Sequence, residues 1–235
     1  MEVLNTVYCS GKNDKGQLGD GTNTNRSYLK QISSDSKIMN VQQIAVGASH
    51  ACAVAGTMSS SPGQGTLYCW GDNQYGQLGD GTANNSNLPV AVSSGGGFTN
   101  TSVKAVIAGD NHTCAIQTVS SVDRMFCWGR NNKGQLGDGT TTNSNVPTAL
   151  ASPFNTAGVQ NGGSYQYPVA AAGAEHTCAQ SSVNTKIYCW GSNSNGQLGV
   201  GDTSDRPNPT STGEDGASAG NTYGMFIAAG LDFTC

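Results

Sequence analysis

Apolar residues in this chain come in short runs that end at glycine. Ile44-Ala-Val46, Ala105-Val-Ile-Ala108 and Val169-Ala-Ala-Ala172 each lead into a Gly-x-x-His sequence. A second run follows around a Cys-Ala pair, then a polar turn, then a third run that ends aromatic-Cys-Trp-Gly. Short runs bounded by Gly and polar clusters predict β-strands, and two strands across a polar turn predict a hairpin. No segment sustains an apolar period of about 3.6 residues, so almost no helix is expected.

The pattern repeats, which is the first thing to establish in such a chain. Tyr8-Cys-Ser-Gly-Lys-Asn-Asp-Lys-Gly-Gln-Leu-Gly-Asp-Gly-Thr22 returns from Tyr68 to Thr82, from Phe126 to Thr140 and from Tyr188 to Asp202. A second motif interleaves with it: Gly47-Ala-Ser-His-Ala-Cys-Ala-Val54, Gly109 to Ile116, Gly173 to Gln180 and Gly230-Leu-Asp-Phe-Thr-Cys235. The unit is about sixty residues long, and one such unit cannot bury both faces of its sheet without stacking on a neighbour.

Gly-Gln-Leu-Gly after Trp-Gly-x-Asn, with Gly-x-x-His-Thr-Cys-Ala upstream, resembles the regulator of chromosome condensation repeat. The resemblance covers nearly the whole chain. It implies an all-β fold, a β-propeller of four-stranded blades, usually about seven in this family. The expectation is one repeat domain over residues 1–235, with motifs starting near 8, 68, 126 and 188. Ultraviolet-sensing relatives of this fold carry tryptophan directly after the motif glycine. Ala48, Asp110, Ala174 and Leu231 stand there instead, so photoreception is not expected. The founding member's nucleotide-exchange role depends on specific loops and a basic tail, and no basic tail is present.

All 8 cysteines lie in the two motifs. Outbound and return cysteines can face each other across a hairpin: Cys52 with Cys69, Cys114 with Cys127, Cys178 with Cys189. Buried free thiols are the alternative, and zinc ligation is disfavoured by loose spacing. Disulfides would imply an oxidising compartment. Cys9 is a return cysteine without an outbound partner before it, and Cys235 is an outbound cysteine without a return strand after it. The expectation is that strands from both termini complete one blade and that Cys9 pairs with Cys235. An open arc and a head-to-tail polymer are the other arrangements.

His50, His112 and His176 occupy one repeat position, and Phe233 fills it in the fourth copy. That substitution predicts a packing and hydrogen-bonding role rather than metal or catalytic chemistry. Trp70, Trp128 and Trp190 recur once per unit and are expected between blades. Asp20, Asp80 and Asp138 sit in Asp-Gly-Thr turns, whose interrupting Gly and Leu suit a tight turn better than a calcium loop. The segments that differ between units are the expected recognition loops. Within Ser152–Tyr167, Phe154, Tyr165 and Tyr167 form the candidate partner-contact patch. Asn25, Asn84, Asn100 and Asn111 begin glycosylation sequons.

Composition narrows the function classes. Of 235 residues, 33 are Gly and only 11% are charged, with net charge −4. The 11 Lys and Arg are scattered, so a nucleic-acid partner is not expected. No stretch approaches the ~20 apolar residues of a membrane helix, and the first residues lack a signal-peptide pattern. No nucleophile-base-orienter set is visible, and no cofactor or metal is called for. The reading is a non-enzymatic propeller scaffold that binds a protein or copies of itself. It is expected to be extracellular, on the cell surface or in a periplasm. The alternative is a subunit of an extracellular polymer, joined through complementary terminal half-blades.

Overall fold

The computed structural model describes residues 6–32, 38–56, 65–156, 158–160, 169–213 and 226–235. They contain fourteen strands and no helix long and apolar enough to cross a membrane. β1 (Tyr8–Gly11) and β2 (Arg26–Gln31) form a two-stranded sheet. Three four-stranded antiparallel sheets follow. The first holds β3 (Val41–Val46), β4 (His50–Ala55), β5 (Thr66–Gly71) and β6 (Ser86–Ala91). The second holds β7 (Val103–Ala108), β8 (His112–Val119), β9 (Val122–Gly129) and β10 (Ser144–Ala149). The third holds β11 (Ala170–Ala172), β12 (His176–Gln180), β13 (Ile187–Gly191) and β14 (Arg206–Ser211). Each sheet is a propeller blade in simple up-and-down order, as the repeat predicts.

Sequence explains the position of each strand. Of the innermost strands, β11 is three alanines, whereas β3 and β7 run to six residues each. The second and third strands of each blade are almost wholly buried. The outer strands carry Pro89, Pro147, Pro207 and Pro209, which an edge strand tolerates because its outward N–H groups pair with nothing.

The core lies between blades, not within one. Cys52, Val54, Leu67 and Leu78 of the first full blade pack with Val106, Phe126 and Trp128 of the next. Cys114, Ile116, Cys127 and Leu136 pack likewise with Ala179 and Trp190. Val7, Ile32 and Ile38 cover Trp70. Sheets with two apolar faces are stable only as a stack, which is why the unit recurs.

The terminal half-blades correct an expectation. Residues 228–235 form a narrow turn, with Ala229 bridged to Thr234, and no ladder joins them to β1 or β2 among the described residues. Cys9 and Cys235 are unpaired. Blade-to-blade spacing is set by backbone contact: a Cβ on Gly16, Gly76 or Gly134 would meet the next blade's Asn87, Asn145 or Pro207 at 2.5, 2.5 and 2.3 Å.

Candidate functional site

The cysteine pairs come together as the hairpin register requires. Cys52 faces Cys69, Cys114 faces Cys127 and Cys178 faces Cys189 in the strand ladders. Their Cα atoms are 4.0, 4.1 and 4.1 Å apart, and all three pairs are disulfide-bonded. Cys9 is half-buried, and burial first, then the nearby Asp20 charge, pushes its thiol pKa up.

The three histidines are spent on joints between blades. His50 Nε2 lies 2.8 Å from Thr113 Oγ1, His112 Nε2 2.9 Å from Thr177 Oγ1, and His176 Nε2 2.9 Å from Thr234 Oγ1. Each threonine hydroxyl donates onward to a backbone carbonyl, of Gln77, Gln135 and Gln197 at 2.9, 3.1 and 3.0 Å. A hydroxyl has one proton, so it accepts from the histidine, which fixes the ring proton on Nε2. Nδ1 of all three rings is then a buried acceptor without a partner. It rests against the backbone of Gly47, Gly109 and Gly173, where a Cβ would come within 2.5, 2.5 and 2.6 Å of it. Burial lowers the pKa of His50 to about 4 and of His112 to about 3, and lowers that of His176 as well. These imidazoles are neutral at ordinary pH and enclosed, which suits a strut and not a general base. Among the described residues, no group of three or more His, Cys, Asp or Glu is placed to hold a metal ion.

The tryptophans complete the same joints. Trp70, Trp128 and Trp190 are fully buried, and each indole N–H donates to the carbonyl of Gln17, Gln77 and Gln135 at 3.1, 3.0 and 3.0 Å. Gln77 and Gln135 carbonyls thus receive both an indole and a threonine. Phe233, at the histidine position of the fourth copy, is exposed.

The Asp-Gly-Thr turns are internally satisfied. Asp80 accepts from Thr82 N at 2.9 Å and from Asn73 Nδ2 at 3.2 Å. Asp20 and Asp138 repeat this with Thr22, Asn13, Thr140 and Asn131. The organiser is the buried asparagine of Trp-Gly-x-Asn, whose role the sequence reading did not assign. Asn73 spans its loop, taking Leu78 N on Oδ1 at 2.9 Å and giving Nδ2 to Thr82 O and Asn84 O at 3.2 and 3.0 Å. Its fourfold recurrence as Asn13, Asn73, Asn131 and Asn193 was the available signal.

The contact patch expected in Ser152–Tyr167 is not assembled from Phe154. That ring is buried, edge-on to Tyr188 at 5.6 Å and tilted on Trp190 at 5.9 Å. It is core because it closes the exposed end of the blade interface, as Phe98 does against Phe126 and Trp128. Tyr165 and Tyr167 lie outside the described residues. Asn100 is also buried, holding Leu67 and Val92 through its side chain, so that sequon serves the fold.

What remains for recognition is the axial face. A shallow depression of 300 Å³ is lined by the inner turns, including Ala48, Asp110, Ala174 and Leu231. Backbone bonds from Ala48 N to Asp110 O, Asp110 N to Ala174 O and Ala174 N to Leu231 O stitch its floor across the blades. Beside these turns Arg130 pairs with Glu175 at 2.9 Å and stacks over Tyr75 at 5.2 Å. Arginine and tyrosine are the residue types that most often anchor protein interfaces.

Comparison with known proteins agrees with this architecture. The Regulator of chromosome condensation (RCC1) repeat matches residues 5–54, 64–116, 123–180 and 186–235. The ultraviolet-B receptor UVR8 of Arabidopsis thaliana is 33% identical over 211 residues, which are 88% of this chain and 43% of that protein. The probable E3 ubiquitin-protein ligase HERC4 of Homo sapiens is 29% identical over 209 residues, 89% of this chain and 18% of that protein. The chain therefore spans less than half the length of these relatives. Human WBSCR16 superimposes with TM-score 0.72 at 24% identity, over 97% of this chain and 52% of its own. Prp20p of Saccharomyces cerevisiae does so with TM-score 0.69 at 20% identity, over 97% and 50%. Both show the fold alone. The chain belongs to the regulator of chromosome condensation repeat family.

Proposed function

We propose that this chain is a non-catalytic, protein-binding propeller segment that works in an oxidising compartment, at the cell surface or outside it. One observation carries the reading. The side chains that resemble chemistry are consumed by the frame, while Arg130 and Tyr75 are half-buried, stacked on each other beside Glu175, which follows the inner turn at Ala174. The three disulfides support the compartment, since such bonds persist where thiols are not kept reduced. A propeller of the same fold supports the role: Prp20p binds Gsp1p and histones.

The test is affinity capture from extracellular fractions of the source, comparing wild type with Arg130→Ala and Tyr75→Ala. A partner retained by wild type and lost by both variants is expected. Retention by both variants removes the axial face from the reading. Thiol mapping of the native protein tests the compartment, and free thiols at Cys52 and Cys69 would contradict it.

The polymer reading has unpaired Cys9 and Cys235 in its favour. A concentration-dependent rise in mass by light scattering would support it, and a constant monomer mass would not.

A further inference from the structure

Asn-x-Ser/Thr sequons begin at Asn25, Asn84, Asn100 and Asn111, and the fold treats them differently. Transfer of a glycan to asparagine needs a free side-chain amide and a reachable hydroxyl two residues on. Asn100 fails on the first count. It is 8% exposed, and its Nδ2 donates to the carbonyls of Leu67 and Val92 at 2.9 Å each. Asn111 fails on the second. Its sequon hydroxyl is that of Thr113, fully buried between His50 and the Gln77 carbonyl. Asn25 is exposed, but its side chain closes a loop, with Oδ1 accepting from Asn13 N at 2.8 Å. Asn85, Asn143 and Asp205 make the corresponding bond at 2.8 Å, so a side chain is fixed there in every unit.

Asn84 has none of these duties. It is exposed, in the turn between Thr82 and β6. The frame uses its backbone: its carbonyl accepts Asn73 Nδ2 at 3.0 Å, and its N–H donates to Thr82 Oγ1 at 3.2 Å. No described residue bonds its side-chain amide. The same two backbone bonds recur at Thr24 and Thr142, whose side chains differ from it. The position is indifferent to its side chain, so a bulky addition there removes nothing that the frame needs. Ser86 supplies the sequon hydroxyl from the start of β6, where it donates to Leu88 O at 2.6 Å.

We propose that Asn84 is the N-glycosylated residue of this chain, carrying an oligosaccharide beside the outer strand of the first full blade. In the transfer, the Asn84 amide nitrogen attacks the anomeric carbon of an oligosaccharide held on a lipid pyrophosphate. A C–N bond forms, the C–O bond to the pyrophosphate breaks, and the amide gives up one proton as the lipid pyrophosphate departs. Nothing is oxidised or reduced. The proposal rests on the compartment proposed above, because this acceptor sequence is used in secreted proteins.

The test is peptide mapping of the native protein after peptide N-glycosidase in heavy-oxygen water, which turns a glycosylated asparagine into a labelled aspartate. Label is expected at Asn84, with Asn25, Asn100 and Asn111 unlabelled. In cells of the source, Ser86→Ala should abolish the label together with the mass loss on deglycosylation, and Ser86→Thr should restore both. The fold tolerates change at this position, since Arg26 and Arg206 occupy it in other units. If Ser86→Ala is not secreted, the native map decides alone. Unlabelled Asn84 in a protein whose Cys52 and Cys69 are disulfide-bonded overturns the proposal and leaves the compartment standing. Free thiols at both cysteines with unlabelled Asn84 overturn the compartment, and the proposal with it. Label at Asn100 or Asn111 in place of Asn84 also overturns the proposal.

Discussion

His50 and Thr113 belong to adjacent blades and meet at 2.8 Å in the protein interior. The bond is one link of a chain that runs on to the Gln77 carbonyl. Removing the imidazole leaves a buried hydroxyl short of a donor, at a cost of about 1–3 kcal/mol. His50→Phe should therefore lower stability in denaturant titrations by that amount. With Thr113→Val it should show a coupling of at least about 0.5 kcal/mol in a double-mutant cycle. Strict additivity would mean that the contact carries no energy.

The same histidines set an acid limit. In the unfolded chain a histidine takes up its proton near pH 6.5. Burial holds His50 neutral down to about 4 and His112 to about 3. Below about pH 6.5 the unfolded state binds more protons, so stability is full above that pH and falls as pH drops toward 4. The shift of His50 alone corresponds to a loss on the order of 3 kcal/mol at pH 4. Urea midpoints measured from pH 7 to pH 4 should fall, and His50→Phe should flatten the slope. An unchanged slope in that variant would assign the acid sensitivity to carboxylates.

The parts of this fold that recur were legible in the sequence. Two alternating motifs placed the central strands of each blade and paired Cys52 with Cys69, because a hairpin leaves the register little freedom. The outer strands were not legible: Pro89, Pro147, Pro207 and Pro209 suppress a strand signal that only an edge position excuses. Phe98 and Phe154 lie in segments of unequal length, so no alignment equates them; burial against equivalent tryptophans does. The threonine partners left a trace that was not used. Thr113, Thr177 and Thr234 each come one repeat after a histidine at the motif position, His50, His112 and His176.

Phe154 separates a core plug from a surface contact. Truncating a buried phenylalanine costs about 3–5 kcal/mol, whereas an exposed side chain costs within about 0.5. Phe154→Ala should shift the unfolding midpoint by the larger amount, and so should Phe98→Ala. A change near zero at Phe154 would return it to the surface.

Each disulfide closes a short hairpin, with separations of 17, 13 and 11 residues. Cross-linking a loop of about 15 residues contributes about 3 kcal/mol, chiefly by restricting the unfolded chain. Replacing Cys114 and Cys127 together by alanine should cost about that much in guanidinium titrations. The two new side chains also leave space between β8 and β9, so the loss should not fall below about 1 kcal/mol. A negligible loss would mean that the unfolded chain is already compact across this hairpin.

Gly79 and Gly199 form an internal control for the blade joint. Both are left-handed, at φ +68 and +64, so alanine at either carries the same backbone penalty of about 1–2 kcal/mol. They differ in what a Cβ would meet. At Gly79 it would lie 2.6 Å from Trp128 Nε1, and at Gly199 it meets nothing within 4 Å. The indole at the first site cannot retreat, because its N–H is held by Gln77 and its ring is packed on Phe98. Gly79→Ala should therefore destabilise the chain by about 1–3 kcal/mol more than Gly199→Ala, the usual cost of overpacking a filled core. Thermal and denaturant unfolding of the two single variants measures the difference directly. Equal losses would show that the joint between blades yields to a methyl group.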